Sequence, residues 1–108
     1  MELESILNQL GYKPNDALRE QLRRTADKTV GYEKIAKHIM DLHEHLKVNN
    51  SFVALSNSHD CFKIKIETTN HELELEAHEK IRRFSEKFKV KVDQLDNKKT
   101  YYIVGFEH

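Results

Sequence analysis

The hydrophobic repeat of this chain changes once, between residues 48 and 51. Ahead of that point apolar side chains recur three or four apart (Leu3, Ile6, Leu7, Leu10; Leu18, Leu22; Ile35, Ile39, Leu42, Leu46), the spacing that lines one stripe of an α-helix. Behind it they alternate, in Phe62, Ile64, Ile66 and in Phe88, Val90, Val92, the spacing that lines one face of a strand. A helical region, residues 1–48, therefore leads into a strand-rich region, residues 51–108.

Stop signals divide the helical region. A first helix from Glu2 to Leu10 ends at Gly11, which accepts the left-handed C-cap conformation, with Pro14 close behind. Asn15 caps a second, Asp16 to Asp27, whose apolar stripe is thin. The third and strongest starts at Gly31 or Tyr32 and runs to Val48, with Ile35, Ile39, Leu42 and Leu46 in one narrow arc flanked by Tyr32 and His43. Asn49 and Asn50 stop it, because their side chains compete for backbone hydrogen bonds.

The second region reads as two hairpins around a helix. Strands at 51–56 and 61–68 are joined by Asn57, Ser58, His59 and Asp60. Thr69 or Asn70 then opens a fourth helix to Phe88, with Leu73, Ala77, Ile81, Phe84 and Phe88 on one face and Leu75 on the other; the alternation Leu73 to Glu76 also fits a strand extension. Strands at 89–94 and 100–106 meet across a turn at Asp96 and Asn97. At 108 residues the chain fits one α+β domain: about three helices, then a ββαββ unit whose four-stranded, mostly antiparallel sheet carries one crossover helix. The order resembles the topology of pterin dehydratases and of LAGLIDADG endonucleases. The signatures of both are missing here, and topology alone carries no activity.

Hydrophobic content of 38% with 33% charge suits a folded soluble domain, and a formal net charge of zero argues against wrapping nucleic acid by bulk charge. The one cysteine, Cys61, has no partner for a disulfide and no CxxC pair exists, which suits a reducing compartment. Met1 to Leu10 carries Glu2 and Glu4 rather than a basic start, and no stretch approaches the roughly 18 apolar residues that span a bilayer. The expectation is a cytoplasmic protein with no membrane partner.

Strands two and three alternate apolar residues with Lys63, Lys65, Lys89 and Lys91, whereas strands one and four carry apolar residues on both faces. This predicts an outer sheet face formed by Val53, Leu55, Lys63, Lys65, Tyr101 and Ile103, too apolar to stay uncovered. The N-terminal helices are its preferred cover and a second copy in a symmetric dimer the alternative.

Chemistry-bearing clusters are sparse. His38, Asp41 and His45 share one flank of the third helix and could ligate zinc or nickel, although one helix supplies at most three ligands and no fourth has recognisable spacing. His71, Glu74 and His78 repeat the pattern on the fourth helix, and His59 sits near Cys61 without the orienting group a nucleophile pair needs. No GxGxxG, GxxxxGK[ST], HExxH or GxSxG motif occurs, so no cofactor is expected. Acids from Glu67 to Glu79 give way to Lys80, Arg82, Arg83, Lys87, Lys89 and Lys91, a distribution that complements the helix dipole. The preferred function is a small non-enzymatic module that binds a protein partner or itself through the outer sheet face. The alternative is nucleic-acid binding through Arg82, Arg83, Lys87, Lys89 and Lys91, beside the lysine face and Tyr101. A helix-turn-helix built from the second and third helices, presenting Lys34, Lys37 and His38, ranks below it.

Overall fold

The computed structural model describes residues 3–107; Glu2, the expected start of the first helix, lies outside them. The helices are α1 (Leu3–Gln9), α2 (Asp16–Lys28), α3 (Tyr32–Leu46), which tightens into a 3-10 turn over Lys47–Asn49, and α4 (His71–Phe88). The strands are β1 (Ser51–Leu55), β2 (Phe62–Ile66), β3 (Val90–Gln94) and β4 (Thr100–Phe106). The fold is α+β, N-terminal helices followed by ββαββ, with one antiparallel sheet in the order β1-β2-β4-β3. No helix among the described residues is long and apolar enough to cross a membrane.

Local chemistry explains the boundaries. Asn15 Oδ1 accepts the Leu18 N–H and Asn70 Oδ1 accepts the Leu73 N–H, each cap contributing about 1 kcal/mol. The Asn70 cap commits Leu73 to Glu76 to helix, and Leu75 is left 55% exposed. Asn50 at φ 50° and Lys89 at φ 57° end the 3-10 turn and α4 in the left-handed conformation.

The sheet register sets what faces the helices. Val53 lies opposite Ile64, Leu55 opposite Phe62, Phe62 opposite Ile103 and Ile64 opposite Tyr101, so these residues share one face. That face joins Ile6 and Leu7 of α1, Leu22 of α2, Ile35, Ile39 and Leu46 of α3 and Ile81 of α4 in one core. The placement differs from the outer face expected above: Val53, Leu55 and Ile103 are 0%, 2% and 1% exposed beneath the helices, while Lys63 and Lys65 point the other way. The helices share the core of this inner face, and they do not cover the lysine face.

One close approach ties the halves together. Val30, in the link between α2 and α3, pairs in parallel with Gly105: its N–H donates to Val104 O at 3.4 Å and its carbonyl accepts the Phe106 N–H at 2.6 Å. A Cβ on Gly105 would stand 2.5 Å from the Val30 nitrogen, and Gly105 sits at φ +146°, so only glycine fits. Val104, the extra residue opposite β3 at this bulge, turns outward.

Candidate functional site

Turning the large core residues of the sheet to one side leaves the other side, where the small Ala54 is the only buried hydrophobic among the described residues, with a distinct chemistry. Its cross-strand rows are Phe52 beside Lys65, and Lys63 beside Tyr102 beside Asp93. Phe52 and Tyr102 are half-buried outside the core cluster, and Phe52 borders a hollow at the β1 edge with Gln9, Leu10 and His43. The β1–β2 hairpin leans over this face: the His59 ring tilts on Tyr102 with centroids 5.1 Å apart, and Ser58 Oγ lies 3.1 Å from both Tyr102 OH and His59 Nδ1. Tyr102 is thus held at its hydroxyl by Ser58 and along its ring by His59, and stays half-exposed. Lys65 lies 3.6 Å from Glu67, and Lys63 has no ion pair among the described residues.

The two edges of the sheet are finished differently. Along β1 the outward N–H of Val53 donates to His43 Nδ1 at 3.0 Å and that of Leu55 to Tyr12 OH at 3.1 Å. His43 is 4% exposed and also hydrogen-bonds the Gln9 backbone. Burial, with Lys47 nearby, pushes its pKa below the ordinary histidine value, and Glu44 opposes this weakly. The ring is therefore neutral with Nδ1 unprotonated, the only state that accepts the Val53 N–H. At the other edge the alternation set by Leu95 N–H to Thr100 O turns the backbone groups of Val90, Val92 and Gln94 outward. Ser85 Oγ donates to Val90 O at 2.6 Å, and among the described residues no other side chain caps this edge.

The structure separates the charged clusters seen in the sequence. Arg82 is held by Glu79 and Glu86 beside the groove between α4 and β3, whereas Arg83, bonded to the same Glu79 at 3.2 Å, lines the groove between α3 and α4 with Lys80 and Lys87. Glu79 is held below the usual carboxylate range by its hydrogen bond to Arg82. Lys89 and Lys91 lie at β3 beside Glu107. The five bases of the expected nucleic-acid patch thus border three hollows, with Arg82 and Arg83 joined through Glu79. α3 buries Ile35, Ala36, Ile39, Met40, Leu42, His43 and Leu46 and leaves Lys34 and Lys37 exposed together with Glu33, Asp41 and Glu44.

His38, Asp41 and His45 border a groove of about 430 Å3 between α3 and α4, but the His38 ring stacks on Phe88 with centroids 3.7 Å apart. Among the described residues no three His, Cys, Asp or Glu side chains come together as a metal-holding group. His78 takes another role: its Nδ1 is hydrogen-bonded to Tyr101 OH and its Nε2 lies 3.6 Å from Glu74, a link between α4 and β4. Burial raises the Tyr101 pKa, so the phenol keeps its proton. Burial likewise pushes the Cys61 thiol up, away from the thiolate a nucleophile requires.

Sequence reasoning placed His43 at the flank of the α3 stripe without seeing it as an acceptor, and did not single out Tyr12, Phe52 or Tyr102 as site residues. His43 had one available signal, since it extends the row Ile35, Ile39 at the same spacing of four and so belongs inside the stripe. Compared with models of protein families, with curated proteins and with solved structures, the chain matches none of them.

Proposed function

We propose that this protein is a non-enzymatic binding module and that its helix-free sheet face holds single-stranded nucleic acid. The observation that carries the reading is the pairing of an aromatic with a lysine in two neighbouring cross-strand rows, Phe52 with Lys65 and Tyr102 with Lys63. Bases stack on aromatic rings whatever their identity, and lysines beside the rings follow the phosphates. From strand spacing and rise, Phe52 and Tyr102 stand about 12 Å apart, a span suited to successive unpaired nucleotides rather than to a duplex groove. The acids of α4 lie in the helical layer, off this face; the acids beside the two rows are Asp93, next to Tyr102, and Glu67, 3.6 Å from Lys65.

The test is binding of a labelled mixed-sequence single-stranded oligonucleotide, as RNA and as DNA, over a salt series. Phe52→Ala and Tyr102→Ala are each expected to weaken binding about tenfold, within the range for loss of one stacked base. Lys63→Ala and Lys65→Ala should each flatten the salt dependence by about 0.7 in log–log slope. Arg82→Ala, on the helical side, should change neither. Binding that survives the four sheet substitutions, or is lost only with Arg82→Ala, rejects the face. No binding of either nucleic acid at low salt returns the face to a protein partner.

A further inference from the structure

β1 is closed by side chains of its own chain, and β3 is not. We propose that β3 pairs antiparallel with the β3 of a second copy, about a two-fold axis through Val92, as a reversible homodimer. The outward groups of Val92 and Gln94 have no partner among the described residues, so a second strand gives them the ladder bonds that water now supplies.

Charge selects the register. With Val92 opposite the partner's Val92, Lys91 falls opposite the partner's Asp93, and Asp93 opposite the partner's Lys91. Moving the axis by one residue sets Lys91 against the partner's Lys91, or Asp93 against the partner's Asp93. Lys91 and Asp93 are both exposed, and among the described residues neither belongs to an ion pair. A lysine on an open edge ordinarily discourages strand pairing, and here it is matched in one register alone.

The ground beside the edge agrees. A groove of about 700 Å3 runs between α4 and β3, floored by Val92, Gln94 and Tyr101 and rimmed by the exposed Leu75. A neighbouring strand continues the sheet along the open side of this groove. Pairing along five residues falls short of the roughly 1,200 Å2 that stable complexes bury, so the dimer depends on concentration. The axis stands perpendicular to the sheet, and the two helix-free faces end on one side of a continuous sheet. The proposal does not rest on what that face binds.

Sedimentation from micromolar to millimolar concentration tests it. Wild type is expected to dimerise, and Lys91→Asp and Asp93→Lys each to raise the dissociation constant at least about tenfold by opposing like charges. An equimolar mixture of the two variants should form a heterodimer, since each then supplies the charge the other lacks, and K91D/D93K should dimerise as wild type does. Circular dichroism checks that the variants fold. A wild type that stays monomeric overturns the proposal, as does a dimer that both single substitutions leave intact, or a mixture no more associated than its components. Lys63→Ala and Lys65→Ala, which address the binding face, should leave dimerisation unchanged.

Discussion

The two edge strands of this sheet present the same backbone groups and meet opposite fates. β1 lies against α3 and the α1–α2 link, where His43 and Tyr12 accept its outward amides and the neighbouring side chains exclude water. β3 borders an open groove, and apart from the bond from Ser85 to Val90 its outward groups face solvent. A polar group sealed from water depends on its one partner, whereas an open one exchanges that partner for water at little cost. The lesson is that the N-terminal segment does more than fill a core: it closes the amides of one of two sheet edges and leaves the other open.

The sharpest way to break this comparison is His43→Ala. It deletes a buried ring and leaves the Val53 N–H without an acceptor, so a loss of about 3 kcal/mol is expected in denaturant unfolding, with faster hydrogen exchange at Val53. A loss below about 1 kcal/mol would mean that β1 is no better sealed than β3.

Acid acts on the same contact more gently. The folded-state pKa of His43 is lowered, so between it and the unfolded value of about 6.5 the unfolded chain binds more protons and stability falls as pH drops. His43 contributes a slope of this sign, because a protonated Nδ1 points a donor at the Val53 N–H. Urea midpoints from pH 8 to pH 5 should show this slope in wild type and lose it in His43→Ala; equal slopes would refute the assignment. Tyr12→Phe is smaller again. It keeps the ring and removes only the acceptor for Leu55 N–H at a half-buried site, for about 1 kcal/mol.

The elements of this fold were legible because each is marked by a period and a cap that act locally: Asn15 and Asn70 hold the helix starts where the sequence places them. The faces of the sheet were not legible to the same degree. Phe52 to Leu55 and Tyr101 to Val104 are apolar at successive positions, so alternation cannot say which phase is inside. The phase is set by pairing, through the length of the turn that puts Leu55 opposite Phe62, and a slip of one residue would exchange the faces. Hence Val53, Leu55, Tyr101 and Ile103 were grouped with Lys63 and Lys65 when they lie across the sheet from them, and Phe52 and Tyr102 went unnoticed beside the lysines. The seal on β1 is a long-range contact between His43 and Val53, and nothing at either position alone announces it.

Gln94→Ala tests the open end of the comparison with the smallest expected effect. Gln94 is exposed on the floor of the groove, its outward amide faces solvent, and its side chain donates only to Lys98 O at 3.2 Å across an exposed turn. Truncation therefore returns groups to water that water already reached, and the unfolding free energy of the dilute monomer should stay within about 0.5 kcal/mol of wild type. A cost comparable to that of His43→Ala would show the β3 edge to be closed in the monomer. It would also remove the reason a second copy has to pair there, because an edge that its own chain has sealed has no unsatisfied groups to offer.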